Sequence, residues 1–228
     1  VHEYGEDKGE PYIVMEYVEG VSLKDYMKQK GKLSVNEAAD IMTKLLSALQ
    51  YSHSRGVIHR DLKPGNIFIL ENGEVKLSDF GIAKLESSDL TKPGMVMGTP
   101  SYMSPEQIKG QEVDSRSDLF SASAIFYEML TTERPFKGDQ VFSLLNNILS
   151  VEPRNPGDIN TGIPETLEQV IKKGLAKDPQ DRYQSANEFS RSIREAVETA
   201  TKIVSPRVPP KSKPGHLPIM LIVLLVLA

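Results

Sequence analysis

The sequence predicts an α+β fold in which a mainly helical body carries one early strand and one β-hairpin. Three capping boxes, each a serine followed three residues later by an acidic residue, indicate the starts of helices. These serines are Ser22, Ser34 and Ser185. From about Arg116 onward, a run of apolar residues leaves little polar face, which is typical of a helix buried at the centre of a domain.

The predicted elements follow one another in a simple order. A short apolar run at residues 12–17 is suited to a buried strand. A short helix begins after Ser22, and a longer one with apolar residues at helical spacing begins after Ser34. Strands at residues 67–70 and 75–77 flank an Asn-Gly pair, which is a strong hairpin turn signal.

The composition is that of an ordinary globular protein. Of the 228 residues, 39% are hydrophobic and 25% are charged, and the formal net charge is −4. No global basic field therefore points to a nucleic-acid partner. Because the sequence contains no cysteine, a disulfide framework and a thiolate metal site are both excluded.

The composition changes near residue 200. Residues 199–216 are basic, rich in proline and free of acidic side chains, so we expect a semi-extended linker. Residues 217–228 carry only apolar side chains and one proline near the start, and we interpret them as the start of a transmembrane helix. Basic residues accumulate on the cytoplasmic side of membranes, so this predicts a single-pass protein of the cell membrane with residues 1–198 in the cytoplasm. A buried helix or an apolar tail is the other interpretation.

Three short strings carry the functional signal. Residues 59–66 read HRDLKPGN, residues 79–81 read DFG directly after the predicted hairpin, and residues 104–106 read SPE. In this order the strings resemble the HRDLxxxN, DFG and APE set of the protein kinase family, with Ser104 in place of the usual alanine. The resemblance covers residues 1–198, and it implies a protein-kinase-like fold that is mostly the helical C-lobe with the last strands of the N-lobe.

The residue types themselves suit phosphoryl transfer, which needs positioning and cations that hold spreading negative charge. Asn66 and Asp79 offer hard oxygen ligands of the kind that Mg²⁺ prefers, and they stand on either side of the hairpin. Asp61 is a loop carboxylate that can accept the proton of an attacking hydroxyl. Lys63 can place a positive charge on the transferred phosphate. A solvated surface lysine is the alternative for Lys63.

The resemblance also implies nucleotide contacts around the first strand. In the family, the segment after this strand bonds adenine through its backbone, one residue limits the pocket and another forms its floor. The residues implied for binding ATP are Met15, Glu16, Tyr17, Val18, Ser22 and Phe68. From the residues alone, Met15 and Tyr17 would instead be interpreted as ordinary strand core.

Two further features concern the substrate class. A lysine followed by proline at Lys63 looks like the Ser/Thr class of protein kinases. Thr99 resembles the hydroxyl that bonds near the catalytic aspartate in that class, which makes it a third candidate catalytic residue. A plain turn threonine is the alternative for Thr99.

Other residues match the family's scaffold. Glu106 and Arg182 match a buried ion pair that ties the end of the activation segment to a later helix, and Asp118 matches the residue that holds the catalytic-loop backbone. We expect His59 and Phe80 to pack the loop against the core.

The segment between residues 79 and 106 is long and polar in its middle, as functional loops are. Arg60 precedes the candidate base, and in kinases with this arginine a phosphate on the activation segment pairs with it. We expect Thr91 as the first phosphosite, followed by Ser88 and Ser87. An unmodified surface hydroxyl is the alternative at each position.

The narrower resemblance is to bacterial eukaryotic-like (Hanks-type) transmembrane Ser/Thr kinases, which residues 12–23 and 98–107 carry. It implies ATP and Mg²⁺ as cofactors and protein Ser/Thr hydroxyls as acceptors, and it leaves a kinase dimer open. The rival functions are a membrane-tethered pseudokinase or binding module without catalysis, and a small-molecule phosphotransferase.

Parts that a kinase needs are not in this sequence. It contains no GxGxxG loop and no strand lysine paired with a helix glutamate, and it begins at Val1. We therefore expect an N-terminally truncated kinase domain that binds ATP poorly and transfers little phosphate by itself. A natural remnant is the other interpretation.

Overall fold

The computed structural model describes residues 3–8, 10–80 and 100–204. The strands are β1 (Glu3–Asp7), β2 (Glu10–Val14), β3 (Gly20–Ser22), β4 (Ile67–Leu70) and β5 (Val75–Leu77). The helices are α1 (Leu23–Lys30), α2 (Val35–His53), α3 (Pro105–Lys109), α4 (Ser115–Thr131), α5 (Val141–Ser150), α6 (Glu165–Gly174) and α7 (Ala186–Val204). The predicted α+β class is confirmed, because long helices form most of the body and short antiparallel strands lie in its first third.

Helix α4 is the centre of the helical body. Its apolar side chains are fully buried, as the sequence predicted for a helix with little polar face. Those at 0% exposure are Leu119, Phe120, Ala122, Ala124, Ile125, Phe126, Met129 and Leu130. Helices α2 and α6 pack directly against α4, and α7 packs against both of them. The N-terminus of α4 is therefore a fixed point from which a side chain can reach the loop after α2.

The three predicted helix starts are confirmed. In each case the serine hydroxyl accepts the backbone N–H three residues later, at 3.1 to 3.3 Å. The pairs are Ser22 with Asp25, Ser34 with Glu37 and Ser185 with Glu188. These bonds satisfy N–H groups that the first helical turn leaves without an internal partner.

The predicted hairpin is confirmed with the predicted strand limits. β4 lies between β3 and β5 in an antiparallel sheet, and Ile67 stands opposite Leu77. Gly73 adopts a positive φ of 76° in the turn, a conformation that glycine reaches without steric cost. Because β4 follows residue 66 and β5 precedes residue 78, the hairpin brings these two positions to the same end of the sheet.

The prediction of one buried strand at residues 12–17 is wrong in its limits and its burial. The strand is Glu10–Val14, it pairs only with β1 among the described residues, and residues 15–19 have no regular structure. Tyr12 is 43% exposed and Val14 41% exposed. The apolar run predicted burial, but burial requires a covering element, and the described residues provide none over this side of the two-stranded sheet.

The end of the chain is described only in part. Helix α7 continues through Val204, so the first residues of the predicted 199–216 linker are helical, and the first proline comes after them at Pro206. Within residues 3–8, 10–80 and 100–204, no helix combines the length and apolar character needed to cross a membrane. The predicted transmembrane start at residues 217–228 lies outside the described residues.

Candidate active site

A buried carboxylate holds the start of the loop at residues 59–66. Asp118, in the first turn of α4, is 1% exposed and accepts the backbone N–H of His59 at 2.8 Å and that of Arg60 at 2.9 Å. This confirms the prediction that Asp118 holds the backbone of this loop. The two bonds fix the peptide planes on either side of His59, two residues before Asp61.

Asp61, Lys63 and Asn66 form one hydrogen-bonded group. The ammonium of Lys63 lies 2.6 Å from Asp61 Oδ2, and both side chains are partly exposed. Asn66 is buried and donates from Nδ2 to the backbone oxygen of Asp61 at 3.0 Å and to Asp61 Oδ2 at 3.4 Å. Because the amide nitrogen faces Asp61, the amide oxygen faces the other way, where it can serve as a ligand.

Ser78 connects this group to Asp79. Its N–H donates to the backbone oxygen of Asn66 at 3.0 Å, and its hydroxyl donates to Asp79 Oδ2 at 3.2 Å. The two predicted metal-binding residues therefore flank the β4–β5 hairpin at the same end of the sheet, and Ser78 contacts both of them. Asp79 is exposed.

The donors fit a magnesium ion better than a metal held entirely by protein. Within the described ranges 3–8, 10–80 and 100–204, no three His, Cys, Asp or Glu side chains are grouped so that they could hold a metal ion. One carboxylate and one amide oxygen, completed by phosphate oxygens and water, match the usual coordination of Mg²⁺ in phosphoryl-transfer sites. The chemistry of Asn66 and Asp79 is therefore compatible with an ion that arrives together with a nucleotide.

His59 has a structural role, as predicted. It is fully buried, its Nε2 lies 2.9 Å from the backbone oxygen of Ser78, and its ring packs on Phe80 with centroids 4.7 Å apart. Burial lowers the pKa of His59 and so favours the neutral ring. Since a carbonyl oxygen only accepts, Nε2 carries the proton and donates it to Ser78.

Two non-glycine residues of the site have left-handed backbone conformations. Arg60 has φ of 64° and Asp79 has φ of 56°. Such conformations cost on the order of 1–3 kcal/mol and persist only where the surroundings fix them. For Arg60 the surroundings are visible, because Asp118 accepts its N–H and Gln107 Nε2 donates to its backbone oxygen at 2.6 Å.

Helix α3 is joined to the same loop by a residue that the sequence analysis missed. Ser104 and Gln107 form a capping box at the start of α3, and Gln107 then extends to Arg60. The serine that replaces the family's usual alanine is fully buried and supplies the capping hydroxyl. The capping signal was visible in the sequence, but the bond to Arg60 depends on the tertiary structure.

Glu106 and Arg182 form the predicted buried ion pair. The guanidinium contacts both carboxylate oxygens, at 2.7 and 2.8 Å, and Arg182 and Glu106 are 1% and 4% exposed. Ser117, which the sequence analysis missed, donates to the same carboxylate at 2.5 Å. Burial alone would raise the pKa of Glu106, but the bonds from Arg182 and Ser117 outweigh it and lower the pKa from its usual 4.5 to about 2.

The residues predicted to contact the nucleotide lie along the β3–β4–β5 sheet and the segment before it. Ser22 stands opposite Phe68, and Phe68 stands opposite Lys76, whose ammonium lies 2.5 Å from Glu16. Met15 is 43% exposed and Tyr17 is 84% exposed. Val18 is half-buried, and the Ser22 hydroxyl caps α1. The sheet thus brings Ser22, Phe68 and Glu16 near one another, whereas the Tyr17 side chain stands in solvent.

Several predicted residues lie outside the described residues. They are Gly81, Ser87, Ser88, Thr91 and Thr99. The catalytic assignment of Thr99 and the three candidate phosphosites therefore stay predictions.

Comparison with known proteins identifies the class that this geometry suggests. The family described as "Protein kinase domain" matches residues 1–194. The chain therefore belongs to the protein kinase domain family.

The similar proteins include bacterial Ser/Thr kinases. A probable serine/threonine-protein kinase PknB of Bifidobacterium longum is 44% identical over 194 residues, covering 84% of this chain and 28% of that protein. The serine/threonine-protein kinase PknB of Mycobacterium leprae is 43% identical over 181 residues, covering 78% of this chain and 29% of that protein. The chain thus spans less than a third of the length of these curated relatives.

A solved structure has a similar fold. The crystal structure of Rad53 residues 1–466 in complex with AMP-PNP superposes with a TM-score of 0.70 at 30% identity. The match covers 84% of this chain and 48% of that one.

The buried ion pair provides a stability test. Replacing Arg182→Met leaves the Glu106 carboxylate buried without its cation, and we expect the free energy of unfolding to fall by about 3–5 kcal/mol in chemical denaturation. The matched control is Lys137→Met, which breaks the exposed pair with Glu133 and should change stability by about 1 kcal/mol or less. Equal losses in both variants would contradict the assigned importance of burial.

The low pKa of Glu106 predicts an acid-dependent part of stability. The folded protein binds this proton less tightly than the unfolded chain, so the contribution is complete above about pH 4.5 and declines as the pH falls towards 2. The stability difference between wild type and Arg182→Met should therefore narrow across this window in urea melts at stepped pH. Parallel pH curves would show that Glu106 is not held ionised by Arg182.

Proposed function

We propose that the protein containing this chain transfers the γ-phosphoryl group of ATP to Ser or Thr hydroxyls of protein substrates. The observation that carries the proposal is the position of Asp61, between the Lys63 ammonium and the Asn66 amide in a loop that Asp118 holds. Similarity to bacterial proteins named as serine/threonine-protein kinases supports the same activity.

Each residue has a distinct role in this mechanism. Asp61 orients the acceptor hydroxyl and accepts its proton as the oxygen attacks the phosphorus. Lys63 neutralises charge on the transferred group, and its contact with Asp61 at 2.6 Å orients the carboxylate. Asn66 and Asp79 would hold Mg²⁺ through oxygen atoms, and the ion supplies positive charge to the phosphates when bound.

The nucleotide would lie against the β3–β4–β5 sheet. We assign the adenine floor to Phe68 and the backbone contacts to Glu16, Tyr17 and Val18, with Met15 limiting the pocket. The exposed Tyr17 side chain is compatible with this role, because the proposed contact uses its backbone. Ser22 lies opposite Phe68 at the sheet edge and would contact the sugar side of the nucleotide.

Phosphorylation would regulate the loop through Arg60. Its backbone N–H and oxygen are both held by hydrogen bonds, and Arg60 is exposed to solvent. A phosphate on Thr91, or on Ser88 or Ser87 as the next candidates, would pair with this guanidinium. Separately, the Thr99 hydroxyl would form a hydrogen bond near Asp61. Mass spectrometry of active protein tests the regulation, because a segment 79–106 without phosphate in active enzyme would contradict it.

The alternative function is that of a membrane-tethered pseudokinase or binding module that does not catalyse phosphoryl transfer. It has less support, because a scaffold does not require Asp61, Lys63, Asn66 and Asp79 to be retained together in one hydrogen-bonded arrangement. A small-molecule phosphotransferase also has less support, because the relatives are named as serine/threonine-protein kinases.

The composition after residue 200 supports membrane attachment with the kinase domain in the cytoplasm. The test is fractionation of cells that express the complete reading frame, with and without residues 217–228. The complete protein should sediment with membranes and the deleted form should not. Equal recovery of both forms in the soluble fraction would contradict membrane attachment through this segment.

The catalytic proposal is tested on protein expressed from the complete reading frame, with ³²P-labelled ATP and a protein acceptor. Asp61→Asn keeps the shape of the side chain but removes the base, so transfer should fall by about 10²–10⁴-fold. The control Asp40→Asn changes an exposed aspartate of α2 that pairs with Lys44 and should retain the wild-type rate. Unchanged transfer in Asp61→Asn would refute the assignment of Asp61.

A further inference from the structure

An arginine stands at the surface beside the segment that leads into α3. Arg134 lies in the loop between α4 and α5, and its side chain is 44% exposed. Its Nη1 donates to the hydroxyl of the buried Ser101 at 3.0 Å, and its guanidinium carbon lies 5.7 Å from the centre of the Tyr102 ring. The site assigned above does not use this cation.

The surroundings hold the guanidinium in place without using up its donors. Tyr102 donates its hydroxyl to Glu128 Oε2 at 2.6 Å, and Arg134 Nε lies 3.8 Å from Glu128 Oε1. Burial and the nearby carboxylate raise the pKa of Tyr102, so the phenol keeps its proton and remains a donor. A guanidinium has five N–H donors, and among residues 3–8, 10–80 and 100–204 the one hydrogen bond that it donates goes to Ser101.

The neighbouring charges leave Arg134 as an exposed positive group. Glu128 is only 17% exposed, and its two oxygens face Tyr102 and Arg134 itself. Glu133, the next residue along the loop towards α4, lies 2.5 Å from the ammonium of Lys137 and is therefore neutralised by another cation. The charge that an approaching molecule meets at this point is therefore that of the guanidinium.

This surface continues from the loop that carries the candidate base. Gln107 of α3 donates to the backbone oxygen of Arg60, the residue before Asp61. Ser101, which Arg134 contacts, lies only a few residues before α3. An extended peptide advances ~3.3 Å per residue, so an acceptor whose hydroxyl reaches Asp61 presents side chains a few positions away to the surface beside Arg134.

The chemistry of the group indicates which side chain it would bind. A planar guanidinium binds a carboxylate through two parallel hydrogen bonds, a geometry that a lysine ammonium does not reproduce. We propose that Arg134 is a specificity-determining residue that binds an acidic side chain of the protein acceptor, a few positions from the Ser or Thr that receives the phosphoryl group. The inference rests on the proposed function for its kinetic readout, whereas its binding readout does not require phosphoryl transfer.

The test uses peptides that share one acceptor threonine and carry glutamate, alanine or lysine at each flanking position in turn. They are assayed with protein from the complete reading frame. Arg134→Met should lower kcat/KM for the best glutamate peptide about 3- to 10-fold, mainly through KM, because one charge-assisted contact with the acceptor is lost. The matching alanine peptide should lose less than about twofold. An arginine that only holds Ser101 and Tyr102 in place would instead affect all peptides equally.

Two further substitutions separate charge from structure. Arg134→Glu should reverse the preference, so that lysine becomes the best residue at the position where wild type prefers glutamate. Arg134→Lys keeps the charge without the fork and should retain part of the preference. The control is Arg191→Met, which removes an exposed arginine of α7 and should leave every ratio unchanged.

Fluorescence anisotropy with the same peptides measures binding without catalysis. Wild type should bind the best glutamate peptide about 3- to 10-fold more tightly than its alanine counterpart, and Arg134→Met should remove the difference. Equal binding of both peptides by wild type, an equal loss for all peptides in Arg134→Met, or no reversal in Arg134→Glu would overturn the proposal. Wild-type protein that transfers no phosphate would refute the proposed function, and the binding ratios would still decide the role of Arg134.

Discussion

The buried carboxylate of Asp118 is the constraint on which the site depends. It is almost fully buried, and three nitrogen atoms lie within hydrogen-bonding distance of it: the backbone nitrogens of His59 and Arg60 and Nε2 of His53. Because a buried carboxylate is costly without hydrogen-bond partners, these bonds hold the carboxylate and the backbone before Asp61 together. The loop can therefore hold Arg60 in a left-handed conformation that an unsupported chain would rarely adopt.

Further hydrogen bonds connect the loop that Asp118 holds to the β4–β5 hairpin and to α3. The Ser78 backbone joins His59 to Asn66 at the base of the β4–β5 hairpin, and its hydroxyl reaches Asp79, so hydrogen bonds connect both candidate metal ligands to the loop. On the other side, Gln107 links Arg60 to α3, whose Glu106 is anchored by Arg182. A disturbance of the buried ion pair would therefore reach the active site through α3 as well as through global stability.

Sequence patterns located most of the elements because the relevant signals are local. A serine three residues before an acidic residue, or an Asn-Gly turn between apolar runs, depends only on neighbouring residues, and the predicted starts and hairpin limits agree with the structure. The prediction that residues 12–17 form a buried strand was wrong, because burial depends on which element covers Tyr12 and Val14. The side chains that support the site from a distance were missed for the same reason. A lone histidine at a helix end, such as His53, has no spacing that reveals its partner 65 residues away.

The most direct test of the account is a crystal structure of the protein from the complete reading frame with AMP-PNP and Mn²⁺, which marks a magnesium site by its anomalous signal. The account predicts a metal about 2.1 Å from an amide oxygen of Asn66 and a carboxylate oxygen of Asp79, with Asp61 facing the γ-phosphate from the other side. A metal bound elsewhere, or an Asn66 whose amide oxygen is turned towards Asp61, would contradict it.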